Sequence, residues 1–124
     1  MVVTKRAYEP AEHSDGYRVL IDRLWPRGVS KARARIDAWE KDIAPSAELR
    51  TWYEHDPGKW PEFQKRYKAE LKATAPAEIL AALVRRAKRG RVTLVYASAA
   101  GAISNAAVLE KLLNRRVKAA KSAS

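Results

Sequence analysis

Residues 17–28 read YRVLIDRLWPRG, and this stretch decides how the rest of the chain is interpreted. Tyr17 to Leu24 has apolar residues on both faces of an extended strand, which is typical of a strand covered on both sides. Pro26 must end the strand, because proline cannot continue a central ladder of hydrogen bonds. Asp22 and Arg23 cannot be buried there without partners. The pattern therefore predicts a strand that carries charged groups to the rim of a site.

The remaining pattern predicts a small α/β domain. A short strand is expected at 2–7 and a second buried strand, RVTLVYA, at 91–97. Residues 29–45 show no sustained period and are expected to form short elements. Helices are expected at 46–54, from 56 through 71, at 77–89 and at 105–119. Helices between such strands favour a small, partly parallel sheet covered by helices on both faces. We expect one compact domain over 1–120 and a frayed tail at 121–124.

Three local signals support these helices. Ser46 is predicted to be an N-cap, with Glu48 in the first turn. Gly90 is predicted to supply a left-handed C-terminal cap for the helix before it. An apolar stripe at helical spacing is expected to be core rather than a cofactor site; it consists of Trp60, Phe63, Tyr67 and Leu71.

Composition excludes several classes of function. The 124 residues are 47% hydrophobic and 31% charged and include no cysteine, which rules out disulfides, thiolate catalysis and cysteine-based metal sites. No glycine-rich phosphate loop, metal-binding histidine pair or nucleophile elbow is found, so we expect no cofactor, no metal and no hydrolase chemistry. His13 and His55 each stand in a loop. The absence of a signal segment or a membrane-spanning apolar run predicts a soluble cytoplasmic protein.

The net charge of +11 is concentrated near the C-terminus, where residues 82–124 hold 10 Lys and Arg against one acidic residue. Such a cluster is either a solvated face that keeps the protein soluble or a surface for polyanions, nucleic acid above all. The candidate nucleic-acid-binding residues are Arg85, Arg86, Lys88, Arg89, Arg91, Arg115, Arg116, Lys118 and Lys121.

Ligands of open α/β sheets collect at the carboxyl ends of the strands. If the two buried strands are neighbours, five polar residues can converge on one anion site beside a helix N-terminus; they are Arg23, Arg27, Ser98, Ser104 and Asn105. The alternative is purely structural. In it Asp22 pairs with an arginine in a buried network, and Ser104 or Asn105 is a simple helix cap.

Several blocks are similar to a known family. The blocks are KRAYEP at 5–10, SDGYRVLIDRLWPRG at 14–28, KDIAPSAELRTWYEHDPGKWPEFQKRYKAEL at 41–71, VTLVYA at 92–97 and NAAVLEKLL at 105–113. In this order they resemble the YeaO-like family, domain of unknown function 488. The resemblance implies a compact α/β domain and no assigned activity. It also implies a shared pocket built around Asp22, Arg23, Trp25, Arg27, Ser46, Arg50 and Tyr96.

The loop after the last strand departs from that family's pattern. Ala99 and Ala100 stand where the family tends to have a basic residue followed by an acidic one. Alanine can neither transfer a proton nor hold a charge, so acid–base chemistry carried by that pair would be lost here. Either the polar residues of this loop were never catalytic in the family, or this chain is a degenerate member with an altered loop at 98–105.

These observations favour a domain that binds an anionic small molecule, phosphate-like or nucleotide-like, through Arg23, Arg27 and Arg50, with Trp25 as a wall. A nucleic-acid-binding module using the basic C-terminal third is the main alternative, and a ligand-free protein-interaction domain is another. Whether the protein is an enzyme stays open. Only Asp22 is a candidate catalytic group.

Overall fold

A computed structural model describes residues 1–99 and 101–123. The strands are β1 (Val2–Arg6), β2 (Tyr17–Leu20), β3 (Ala38–Trp39) and β4 (Val92–Tyr96). The helices are α1 (Lys31–Ala34), α2 (Ala47–Tyr53), α3 (Trp60–Glu70), α4 (Thr74–Ala87) and α5 (Asn105–Ala123). Short 3-10 helices lie at His13–Asp15, Lys41–Ile43, Pro57–Lys59 and Gly101–Ile103.

The four strands form one parallel sheet in the order β1-β4-β2-β3. Strand β4 lies between β1 and β2, with Leu94 opposite both Thr4 and Val19. The expected α/β fold is confirmed. Because β2 and β4 are neighbours, the loops that follow them leave the same edge of the sheet side by side.

One face of the sheet carries the main hydrophobic core. Val19, Val92 and Leu94 pack there against side chains of all four longer helices. The aromatic stripe predicted from the sequence belongs to this core: Phe63, Tyr67 and Leu71 are buried, and Trp60 packs against them. The buried Tyr67 hydroxyl donates to the carbonyl of Ile43, which ties α3 to the segment before α2.

The second face is covered by shorter elements. Leu20 and Val95 pack there against Trp25 and Trp39, whose rings meet edge-on with centroids 5.5 Å apart. Further along the same face, the guanidinium of buried Arg18 donates to Asp15 of a 3-10 helix and to the carbonyl of Ala34 in α1.

Strand β2 is shorter than predicted. Its ladder ends at Leu20, although the amide of Ile21 still donates to the Val95 carbonyl. The chain then leaves the sheet at Asp22, whose carboxylate accepts the amide of Ala97. Leu24, predicted to lie in the strand, is consequently 67% exposed.

The predicted end of α4 is also corrected. Gly90 does not adopt a positive φ, and the helix ends in right-handed geometry at Lys88. The amino group of Met1 donates to the carbonyls of Ala87 and Gly90, so these groups need no left-handed cap.

Other helix boundaries also differ from those predicted. The helix predicted from 56 is a 3-10 helix at Pro57–Lys59 followed by α3 from Trp60. Helix α4 begins at Thr74, because Pro76 falls within its first turn, where a missing amide proton is tolerated. Helix α5 continues beyond 119 to Ala123, and Ser124 of the predicted tail lies outside the described residues. Among the described residues, no helix combines the length and apolar character needed to cross a bilayer.

Candidate functional site

A cavity of about 620 Å³ opens at the edge of the sheet where β2 and β4 end. Three segments supply most of its wall: the loop after β2, the helix α2 with the residues around it, and the loop after β4. The residues that line it are Tyr8, Asp22, Arg23, Leu24, Trp25, Pro26, Arg27, Ala44, Pro45, Ala47, Arg50, Thr51, Tyr53, His55, Phe63, Ala97, Ser98 and Asn105.

Asp22 links the segments that form this cavity. Its Oδ2 accepts the amide of Ala97 at 2.8 Å, and its Oδ1 accepts from Asn105 Nδ2 at 3.2 Å. Burial raises the pKa of the Asp22 carboxyl, even though these two hydrogen bonds and the charge of Arg50 act in the opposite direction. The protonated form of Asp22 is therefore more accessible than that of an ordinary surface aspartate.

Three arginines stand around the same cavity. Arg23 and Arg27 belong to the loop after β2, and Arg50 belongs to α2. All three are exposed, and none of them forms a salt bridge within the described part of the chain. Since Asp22 is the only carboxylate in the wall that the structure describes, the cavity carries an excess of positive charge.

The orientation of α2 follows from its N-terminus. Ser46 is the N-cap, as predicted, and its Oγ accepts the amide of Leu49 at 3.1 Å. The Ser46 amide and hydroxyl both donate to the carboxylate of Glu70 at the end of α3, at 2.8 and 2.6 Å. This anchor places Arg50, one turn into the helix, at the cavity.

Two tryptophans hold the loop after β2. The indole of Trp25 donates to the Val29 carbonyl, and that of Trp39 donates to the carbonyl of Asp22 at 2.7 Å. Trp25 is half-buried and packs its edge against Trp39 while lining the cavity. The loop that carries Arg23 and Arg27 is thus fastened at both ends.

Seven of the ten residues predicted for this site line the cavity: Asp22, Arg23, Trp25, Arg27, Arg50, Ser98 and Asn105. Ser46, Tyr96 and Ser104 do not line it. Ser46 caps α2, Tyr96 is buried in the core, and Ser104 is buried with its hydroxyl donating to the Gly101 carbonyl at 2.6 Å. Ala99 is exposed in the loop after β4, and Ala100 lies outside the described residues.

Part of the aromatic wall is not predicted from the sequence. Tyr8, Tyr53 and His55 line the cavity, and the Tyr53 and His55 rings lie 5.6 Å apart. His55 reaches this position because Glu54 and His55 both take positive φ values, 47° and 57°, which turn the chain sharply after α2. Neither residue is a glycine, so the sequence offers no conventional signal for this turn.

The predicted basic residues lie elsewhere. Arg85, Arg86, Arg89 and Arg91 line a second groove, of about 570 Å³, together with Tyr17, the first residue of β2. Lys118 and Lys121 line a third groove beside Met1. Lys88, Arg115 and Arg116 are exposed on α4 and α5 or next to them. The two grooves lie where the strands begin, and the cavity lies where they end.

Comparison with known proteins places the chain among proteins of similar length. It is 48% identical over 111 residues to the uncharacterized protein Rv3073c of Mycobacterium tuberculosis and, to the same extent, to Mb3100c of Mycobacterium bovis; the match covers 90% of this chain and 92% of each relative. It is 51% identical over 67 residues to the uncharacterized protein YeaO of Escherichia coli, covering 54% of this chain and 58% of YeaO.

No solved structure matches the chain. A family model described as the inactive DUF488-N3 subclade matches residues 1–124. The relationship to YeaO that the sequence blocks indicate is confirmed. The chain belongs to the DUF488-N3i family.

Proposed function

We propose that the cavity binds an anionic small molecule that carries a phosphate or a similar group, such as a nucleotide, and that the protein binds this ligand without converting it. The observation that carries the proposal is the set of three arginines, Arg23, Arg27 and Arg50, which surround one cavity without a salt-bridge partner among the described residues. A guanidinium presents a planar fork of donors that matches a phosphate in a bidentate manner.

The one carboxylate that the described wall contains does not oppose an anionic ligand freely. The Ala97 amide and Asn105 Nδ2 each donate to an oxygen of Asp22, so its negative charge is partly compensated by hydrogen bonds within the wall. The N-terminal end of α5 begins at Asn105 in the same wall, and the helix dipole places partial positive charge there.

The size and the aromatic wall support a ligand larger than free phosphate. A volume of about 620 Å³ falls in the ordinary range for small-molecule sites. Tyr8, Trp25 and His55 contribute flat rings to the wall, and aromatic faces are suitable surfaces for a nucleobase. The arginines and these rings together fit a ligand with a charged end and a planar end.

Binding is favoured over catalysis by the chemistry of the wall. Asp22 is engaged by two hydrogen bonds that fix both of its oxygens, and no cysteine is present to act as a nucleophile. Ala99 carries no group that can exchange a proton. The description of the family as inactive agrees with this interpretation.

Isothermal titration calorimetry with pyrophosphate and with adenosine monophosphate tests the proposal. We expect saturable binding to the native protein that persists at about 0.2 M KCl, since contacts inside a cavity are screened less than contacts on a flat surface. Arg50→Gln is expected to weaken binding at least about tenfold, which corresponds to about 1.4 kcal/mol, with little change in stability.

Arg33→Gln is the matched control, because Arg33 is exposed on α1 and lies outside the cavity. It should leave the dissociation constant unchanged. Equal weakening by both variants, or no binding of either probe, would overturn the proposal.

A further inference from the structure

We infer that the edge of the sheet opposite the cavity binds the phosphate backbone of a nucleic acid. The binding surface is formed jointly by residues 85–91, at the end of α4, and by the end of α5. We call this surface the basic edge. It consists of Arg85, Arg86, Arg89, Arg91, Lys118 and Lys121. This inference is independent of the proposed cavity ligand, because the two sites share no residue.

The first half of the basic edge is a groove between the end of α4 and the start of β2. Four arginines line it, and no acidic residue does. The guanidinium of Arg86 lies over the Tyr17 ring, with its carbon 3.7 Å from the ring centroid. Such a stacked arginine keeps its N–H groups directed outward at low conformational cost, which suits contact with phosphate oxygens.

The second half is the end of α5. Asn114 Oδ1 accepts a hydrogen bond from the Val2 amide at 2.9 Å, and Asn114 Nδ2 donates to the Val2 carbonyl at 2.8 Å. These two bonds fix α5 against the first residue of β1. Lys118 and Lys121, one and two turns later, line a groove with Met1 beside the start of that strand.

The two halves meet at Met1. Its amino group donates to the carbonyls of Ala87 and Gly90 at the end of α4, and its carbonyl accepts the amide of Val92. The amino group has a lowered pKa, first because of burial and then because of the charges of Lys121 and Arg91. Met1 is therefore bonded to the end of α4 and lines the groove of Lys118 and Lys121, which makes the two halves neighbours on the surface.

Nothing in the described structure neutralises this surface. None of its six cations forms a salt bridge with a described residue. Glu110 is the one acidic residue in 82–124, and its charge acts on Tyr96, at the opposite end of β4. An uncompensated cluster of this kind attracts a polyanion and releases its counterions on binding.

A nucleic acid fits the basic edge better than an anionic membrane does. Peripheral membrane binding combines basic residues with large apolar side chains that enter the bilayer. At the basic edge, Met1 is the sole exposed large hydrophobic residue among those described, with an exposed fraction of 59%. Four arginines in one groove instead offer charged donors to phosphate oxygens, and contacts of this kind do not depend on base sequence.

Fluorescence anisotropy with a labelled short duplex tests the inference, with duplex DNA and duplex RNA in separate titrations from about 50 to about 200 mM KCl. We expect the logarithm of the affinity to fall linearly with the logarithm of the salt concentration. The triple variant R85Q/R89Q/R91Q should reduce the magnitude of the slope of log affinity against log salt concentration by about 2–3. The double variant K118Q/K121Q should reduce it by about 1–2. Arg86 is left in place because it packs on Tyr17.

The control variant K31Q/R33Q/R35Q removes three exposed cations near α1, so the net charge falls as much as in the arginine variant. It should keep the native salt dependence. An equal loss in this control would overturn the inference, since net charge alone would then explain binding. Binding to phosphatidylserine vesicles but not to duplexes at the same salt concentration would also overturn it and identify a membrane surface. Circular dichroism melting of each variant confirms that the fold is intact.

Discussion

Asn105 donates from Nδ2 to Asp22 Oδ1 across 3.2 Å, which joins the first residue of α5 to the loop that follows β2. The other oxygen of the carboxylate accepts the amide of Ala97, just after β4. One side chain therefore connects the two loops and the helix that shape the cavity. The pairing of Asp22 with an arginine, which the sequence left open as the structural alternative, is wrong: Asp22 forms no salt bridge among the described residues, and its partners are the Ala97 amide and Asn105.

The raised pKa of Asp22 gives a signed pH dependence. The folded protein holds this proton more tightly than the unfolded chain, so the contribution of Asp22 to stability decreases as the pH rises from the ordinary carboxyl pKa through the raised one. Asp22→Asn removes the titration. Urea unfolding is measured for both proteins between about pH 4 and about pH 7. The free energy of unfolding of the native protein, relative to that of the variant, should decrease as the pH rises. An increase of this difference with pH would contradict the prediction.

Asp15 should behave in the opposite way. Burial disfavours its charge, but the amide of Glu12 and the side chains of Lys5 and Arg18 outweigh burial and lower its pKa. Its contribution is present above the ordinary carboxyl pKa and is lost as the pH falls through the lowered one. Asp15→Asn leaves Arg18, 3% exposed, without its carboxylate, and should cost about 3–5 kcal/mol of unfolding free energy.

Glu12→Gln is the control for that measurement. Glu12 also pairs with Lys5, at 2.8 Å, but its side chain is 63% exposed. An exposed pair contributes about 1 kcal/mol or less, so this variant should unfold at nearly the native urea concentration. Equal losses of unfolding free energy in Asp15→Asn and Glu12→Gln would show that the burial of the Asp15–Arg18 pair does not determine its contribution to stability.

Gly16 is expected to tolerate no side chain. Its φ is +67°, and a Cβ atom would lie 2.3 Å from the carbonyl oxygen of Arg91, which accepts the amide of Tyr17. Gly16→Ala should lower the free energy of unfolding by at least about 2 kcal/mol. Gly90→Ala is the matched change, with open space around it and no positive φ, and should stabilise the protein by about 0.4–1 kcal/mol. Similar thermal midpoints for the two variants would contradict this account.

The sequence predicts β1, β2, β4 and the longer helices in their chain order because these signals are local, whereas β3 lies in the segment 29–45, where only short elements are expected. Ser46 is followed by a helical turn with an acidic residue, and the apolar spacing from Phe63 to Leu71 needs no long-range information. The adjacency of β2 and β4 is only a condition at the level of the sequence, and the observed strand order establishes it. That adjacency is sufficient to bring Arg23, Arg27, Ser98 and Asn105 to one cavity.

Features that depend on distant contacts could not be predicted. Gly90 looks like a helix cap in isolation, but Met1 already satisfies carbonyls at the end of α4. The apolar pattern places Leu24 in the strand, but the chain leaves the sheet at Asp22, whose carboxylate accepts the Ala97 amide. His55 enters the cavity through a left-handed turn of non-glycine residues, and the neighbourhood of Lys121 and Arg91 depends on how α5 docks.

A titration of ¹⁵N-labelled protein with adenosine monophosphate, followed by amide chemical shifts at about 0.15 M salt, decides whether the cavity is the ligand site. We predict saturable shifts of amides in the cavity wall, at 22–25, 50–55 and 97–98, and saturation at a nucleotide concentration at least about tenfold higher in Arg50→Gln. Shifts confined to 85–91 and 117–122, or no shifts at all, would contradict the assignment of the cavity as the ligand site.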